Sequence, residues 1–162
     1  MAKDTEGSVN KLKKREESFK LKIYRQFFNK YICDVLGNID FTIADKKDEK
    51  RYYFWAEAKR SPESDIAVSI TQLILTIGKE KTLNKVETPP NFIGAFDPKK
   101  IAFVPFHTIM HIFSKSDFNW NVTPSDHTTK EFKELHALVE PYCKDEGYFF
   151  TFEDNEKDLK QF

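Results

Sequence analysis

The chain has 162 residues, which is enough for one domain with a single hydrophobic core. Its 26 Lys and Arg are balanced by 26 Asp and Glu, so no bulk charge favours a nucleic acid or a membrane surface as partner. The two cysteines, Cys33 and Cys143, are too few for a disulfide framework and, with no signal sequence at the start, favour the cytoplasm. No apolar run reaches the roughly 20 residues that cross a bilayer.

The predicted elements describe one mixed α/β domain over residues 13–162, preceded by a flexible polar segment over 1–12. Helical spacing of apolar residues predicts amphipathic helices, while short β-branched and aromatic runs predict strands. Taken in chain order, the prediction is a helix over 13–32, strands over 39–45 and 51–59, a helix over 65–81, strands over 91–96 and 100–106, a short helix over 107–113, a helix over 128–145 and a late strand over 148–152. The polar end of the chain, which stops without a cap, suggests a piece of a longer polypeptide.

The stretch RYYFWAEAKRS, residues 51–61, begins as an aromatic strand and ends in charged residues. Successive side chains of a strand point to opposite faces, so Glu57 and Lys59 project side by side. The charged run DKKDEK, residues 45–50, is the turn of an antiparallel hairpin, in which facing residues have an index sum of about 95–97 by the geometry of such pairs. Asp40 is therefore expected nearly opposite Glu57, on the face that also carries Lys59.

Two carboxylates held close together repel each other unless a cation lies between them. Mg²⁺ accepts one or two carboxylates together with water and phosphate oxygens, and Mn²⁺ is a chemically suitable substitute. Asp40, Glu57 and the main-chain carbonyl of Ala58 are the predicted metal ligands. Lys59 is placed to orient a water and to stabilise negative charge on a reacting phosphate. The site suits phosphodiester hydrolysis.

These residues resemble the PD-(D/E)XK nuclease superfamily, in which an acidic residue of one strand precedes Glu-x-Lys in the next. Here the pattern reads Asp40 and then Glu57-Ala58-Lys59, and the resemblance covers roughly residues 13–105. It implies a restriction-endonuclease-like core with a central mixed sheet of about four to five strands flanked by helices. Ile39 stands where many members have proline.

The resemblance also implies a carboxylate from the first helix and a glutamine from the helix after Glu-x-Lys. Glu16 and Glu17 are the candidates on the first helix, and Glu17 is preferred because it lies nearer the centre of the apolar face. Gln72 is the candidate on the next helix, although Thr76 stands where some members have tyrosine.

Within the superfamily, the arrangement looks most like the N-terminal nuclease domain of a single-chain restriction-modification enzyme. That likeness implies a Mg²⁺-dependent endonuclease acting on double-stranded DNA, with methyltransferase and target-recognition domains C-terminal in the full-length chain. The neutral net charge fits a catalytic domain tethered to a separate recognition module and predicts weak DNA affinity for this chain alone.

Other functions are compatible with the same residues. One is a nuclease-like fold that serves only as a scaffold or DNA-binding module, without hydrolysis. Another is a nuclease directed at RNA or at branched junctions, which shares the site and differs in substrate. His107 and His111 have the i, i+4 spacing of metal ligands, but no third ligand lies near them in the sequence, so ordinary partly buried histidines are the simpler interpretation.

Overall fold

The computed structural model describes residues 18–162, which form a mixed six-stranded sheet with helices on both faces. The strands are β1 (Ile32–Leu36), β2 (Ile39–Ala44), β3 (Tyr52–Ala58), β4 (Phe92–Phe96), β5 (Lys100–Pro105) and β6 (Tyr148–Thr151). The helices are α1 (residues 18–27 of the described part), α2 (Ile66–Glu80), α3 (Phe106–Ile109), α4 (Lys130–Glu146) and α5 (Glu156–Gln161). Short 3₁₀ turns, Thr82–Asn84 and Met110–Ser114, follow α2 and α3.

The strands lie in the sheet in their sequence order, β1 to β6. Every neighbouring pair is antiparallel except β3 and β4, which are parallel and joined by the α2 crossover. This βαβ connection is needed because two parallel strands cannot be linked by a tight turn. A short loop over residues 60–65 connects the Glu-x-Lys residues at the end of β3 to the start of α2.

The predicted α/β class is confirmed, while the predicted count of four to five strands is wrong, because the sheet has six. The additional strand is β1. The helical spacing predicts that residues 28–32 continue the first helix, but α1 ends at residue 27 and the chain turns into β1. The Gly37-Asn38 turn explains the difference, because Gly37 has φ 57° and the two residues close a hairpin between Leu36 and Ile39.

Two hydrophobic clusters lie on opposite faces of the sheet. One face is covered by α2 and α4, and its core includes Trp55, Ile74 and Leu135. The other face is covered by α1 and α5 and is rich in aromatic residues such as Phe41 and Phe54. β3 contributes alternate residues to both clusters, so it is a central strand.

The α2 helix follows the sequence prediction closely. Asp65 caps it by accepting a hydrogen bond from the backbone N–H of Val68 at 3.2 Å. All five residues of the predicted apolar stripe are buried: Ile66, Ile70, Leu73, Ile74 and Ile77. The stripe fixes the rotation of α2 on the sheet and thereby the direction of its remaining side chains. Within residues 18–162, no helix is long and apolar enough to cross a membrane.

Candidate active site

The Glu-x-Lys residues lie at the end of β3, where the strand leaves the sheet. Trp55 and Glu57 point to the α2 face, whereas Phe54 and Ala56 pack against the opposite cluster. Lys59 follows the last residue of β3, and its backbone N–H donates to the carbonyl of Phe96 at 2.9 Å. The backbone that carries Glu57 and Lys59 is therefore held by β4.

The register of the β2–β3 hairpin brings Asp40 to the same place. Phe41 lies opposite Ala56, which gives the index sum of 97 that lies within the predicted range. Extending this antiparallel register by one residue places Asp40 opposite Glu57. The backbone N–H of Ala58 is 3.4 Å from Asp40 Oδ2, so the carboxylate reaches across the end of β3.

Glu57 is in an unusual electrostatic environment. Only 6% of the residue is exposed. Burial, and next the negative charge of Asp40, raise the pKa of Glu57 to about 8, although the ammonium of Lys59 acts in the opposite direction. At pH 7 and without a bound metal ion, the Glu57 carboxyl therefore favours its protonated form. A buried carboxyl next to a second, partly exposed one favours a bound cation.

Gln72, which lies on α2, contacts both Glu57 and Lys59. Its Nε2 donates to Glu57 Oε1 at 3.0 Å, and its Oε1 accepts from Lys59 Nζ at 3.0 Å. Lys59 Nζ is also 3.4 Å from Glu57 Oε1. The structure thus brings together Asp40, Glu57, Lys59 and Gln72, four of the predicted site residues.

Glu17, the predicted first-helix carboxylate, and its alternative Glu16 lie outside the described residues. Ala58, the predicted source of a main-chain ligand, is the last residue of β3 and lies opposite Phe96 in the parallel register.

His127 is a member of the site that the sequence did not suggest. It lies in the segment before α4, and its Nε2 is 3.0 Å from Gln72 Oε1. Burial and the charge of Lys59 lower the pKa of His127, which favours the neutral ring at pH 7. A separation of 55 residues from Gln72 leaves no local pattern that connects the two.

His107 and His111 have the sequence spacing of a metal-binding pair. His111 instead contacts the hydroxyl of Tyr142, with Nε2 and Oη 3.2 Å apart. In the part of the chain that the structure describes, no group of three or more His, Cys, Asp or Glu side chains is arranged to hold a metal ion. Two carboxylates are nevertheless a sufficient protein contribution for Mg²⁺, which retains several waters.

Comparison of the chain with protein-family models, with curated proteins and with solved structures gives no match in any of the three. The inference of a function consequently rests on the geometry and chemistry of this site.

The raised pKa of Glu57 predicts a stability penalty that grows with pH. The unfolded chain loses this proton near pH 4.5, whereas the folded protein retains it up to about pH 8. The contribution of Glu57 to stability is therefore most favourable below pH 4.5 and becomes less favourable as the pH rises to 8. Glu57→Gln should remove this dependence and stabilise the metal-free protein at pH 8 by at most about 5 kcal/mol, since the pKa rises from 4.5 to about 8 and one pKa unit corresponds to about 1.4 kcal/mol.

Urea unfolding of both proteins between pH 5 and 8 measures this difference. Glu140→Gln, a change at a partly exposed position of α4, controls for the loss of one carboxylate. A gain for Glu57→Gln that did not increase with pH would contradict the predicted protonation of Glu57.

Proposed function

We propose that this protein is a Mg²⁺-dependent DNA endonuclease domain of restriction type that hydrolyses phosphodiester bonds. The observation that carries the proposal is the convergence of Asp40, Glu57, Lys59 and Gln72 at the end of β3. These residues come from two adjacent strands and one helix, and three of them are joined by contacts of 3.0–3.4 Å. If this strand end were simply a solvated surface, a buried glutamate that contacts both an amide and an ammonium would not be expected there.

Asp40 and Glu57 would hold the metal, with the carbonyl of Ala58 as a further oxygen donor. The donor set is hard and oxygen-only, which suits Mg²⁺ or Mn²⁺ better than zinc. When bound, the cation supplies a Lewis acid and lowers the pKa of a coordinated water. The proximity of two carboxyls, one of them protonated at neutral pH because of its burial and the charge of the other, supports a cation at this position.

Lys59 has the position and charge to act on the reacting phosphate. Its side chain is 31% exposed, so the ammonium reaches the solvent side of the site while one of its contacts remains on Gln72. An ammonium at this place orients a water and stabilises the negative charge that develops during hydrolysis. Gln72 keeps Lys59 and Glu57 in a fixed relation through its two amide atoms.

The chain as a whole has no net charge, which supports weak DNA affinity without an additional recognition module. We accordingly propose double-stranded DNA as the substrate of a larger restriction-modification protein. Methyltransferase and target-recognition domains following this domain in the same chain would supply the specificity.

Asp40→Asn provides the most direct test of the proposed function. The wild-type protein should bind Mn²⁺ in a calorimetric titration and convert supercoiled plasmid to open-circular or linear DNA in Mg²⁺ or Mn²⁺. Asp40→Asn should lose both properties, because the amide replaces a charged metal ligand. Asp34→Asn, on the neighbouring strand β1, is the matched control and should retain both.

The outcomes separate the candidate functions. Mn²⁺ binding without hydrolysis of any nucleic acid would favour an inactive scaffold. Metal-dependent cleavage of RNA or branched junctions, but not of plasmid, would favour the alternative substrates. Plasmid cleavage that survives Asp40→Asn would exclude this site.

A further inference from the structure

We propose that His127 is a positioning residue of the site, which fixes the amide of Gln72 so that its NH₂ group faces Glu57 and its oxygen faces Lys59. This inference rests on the proposed function for its catalytic consequence. It rests on contacts of the described residues for its geometry.

The orientation of the Gln72 amide follows from its neighbours. Lys59 Nζ has only protons to offer, so the atom 3.0 Å away must be the amide oxygen. The NH₂ group then faces Glu57 Oε1 at 3.0 Å. Reversing the amide would place its NH₂ group against the Lys59 ammonium, which replaces a favourable contact by a repulsive one.

The same oxygen determines the role of His127. Because Gln72 Oε1 has no proton, His127 Nε2 at 3.0 Å must be the donor of this contact. The ring is therefore the Nε2–H tautomer. Two donors, one from Lys59 and one from His127, then hold the amide oxygen from different sides.

His127 is itself held in place by its surroundings. Its ring stacks on Phe132 of α4, with the ring centroids 4.3 Å apart and the planes at 22°. The next residue, Thr128, donates to Asp126 Oδ1 from both its backbone N–H at 3.0 Å and its hydroxyl at 2.6 Å. Thr129 caps α4 by accepting from the backbone N–H of Phe132 at 3.1 Å. These contacts hold the His127 donor beside the amide of Gln72.

Cleavage kinetics of three variants test this role. His127→Phe keeps a ring that can stack on Phe132 but removes the donor, and it should lower the single-turnover cleavage rate about 10- to 100-fold, as loss of a supporting hydrogen bond does at metal sites. The DNA concentration at half saturation should not change, because His127 orients Gln72 and does not bind DNA. His127→Gln restores an N–H donor and should recover most of the rate.

His136→Phe is the matched control. His136 also stacks on Phe132, with a centroid distance of 6.2 Å, and its Nε2 lies 4.0 Å from Glu140 Oε2 of the same helix. The single-turnover cleavage rate of His136→Phe should equal that of the wild-type protein. Equal losses in His127→Phe and His136→Phe, or a His127→Gln rate as low as that of His127→Phe, would overturn the proposed role.

A measurement without DNA separates this inference from the proposed function. In protein labelled with ¹⁵N-histidine, the ring ¹⁵N shifts should show the neutral Nε2–H tautomer of His127, and Gln72→Ala should move the Nε2 resonance. A neutral Nδ1–H tautomer, or an Nε2 resonance that Gln72→Ala leaves unchanged, would overturn the positioning of Gln72 by His127. If the wild-type protein cleaves no nucleic acid, the proposed function fails, and this NMR measurement alone supports or overturns the contact.

Discussion

Replacing Lys59 by methionine should reduce metal-dependent plasmid cleavage by about 100- to 1,000-fold, the loss typical when one preorganised electrostatic group is removed from an active site. Methionine preserves an unbranched side chain but eliminates the ammonium that lies 3.0 Å from Gln72 Oε1 and 3.4 Å from Glu57 Oε1. In the proposed function, this ammonium stabilises the negative charge that develops on the phosphate. Single-turnover conversion of supercoiled plasmid in Mg²⁺ measures the effect.

Lys59→Arg refines this prediction. A guanidinium keeps the charge but is planar and larger, so it cannot occupy the position of the ammonium between Gln72 and Glu57. We expect it to restore little of the lost rate. Partial activity in Lys59→Arg above that of Lys59→Met would measure how much of the effect is charge alone.

Lys50→Met is the control for the loss of a lysine. Lys50 is a surface residue of the β2–β3 turn, with a side chain that is 71% exposed and paired with Glu87 at 3.1 Å. The Lys50→Met variant should cleave plasmid at the wild-type rate. Wild-type activity in Lys59→Met would show that this lysine has no catalytic part.

Replacing Asp97 by alanine should destabilise the protein more than any of the substitutions proposed above in the candidate active site. Asp97 lies at the end of β4 and is fully buried. Its Oδ2 accepts from Ser64 Oγ at 2.5 Å and from Lys100 Nζ at 2.6 Å, while its Oδ1 accepts from the backbone N–H groups of Lys99 and Lys100 at 2.8 and 3.1 Å. The Lys100 side chain is 27% exposed, so the cost is mainly that of four hydrogen bonds to a buried carboxylate, about 3–5 kcal/mol in all.

The effect should extend to the active site, because Asp97 anchors the loop that leads from Lys59 to α2. Lys100 Nζ also donates to the carbonyl of Pro62 at 3.1 Å, and Ser64 lies just before the α2 cap. The carboxylate therefore links this loop to the β4–β5 turn. Asp97→Ala should lose activity together with stability, unlike Lys59→Met.

Urea unfolding at pH 7 gives the free-energy difference, and thermal unfolding should show a midpoint lowered by roughly 10 °C, given about 2–4 °C per kcal/mol for a domain of this size. Asp117→Asn, at an exposed position, is the control for the loss of an aspartate. A destabilisation of Asp97→Ala below about 1 kcal/mol would mean that the hydrogen bonds around Asp97 contribute little net free energy.

The local sequence patterns determined much of this protein. The alternation of RYYFWAEAK placed Glu57 on one face of β3, and the charged DKKDEK turn set the register that aligns it with Asp40. The apolar stripe of α2 fixed which side of the helix is buried and left Gln72 facing the site. These features follow from the periods of strands and helices, which depend only on neighbouring residues.

Tertiary structure decided the rest. The aromatic spacing of residues 28–31 matches a helix, but the Gly37-Asn38 turn and pairing with β2 make a strand of Ile32–Leu36. The burial that raises the pKa of Glu57 arises when α2 covers β3, and the contact of His127 with Gln72 arises when the segment before α4 packs beside α2. Such contacts join residues far apart in the chain, so only the packing of the elements, and no local periodicity, specifies them.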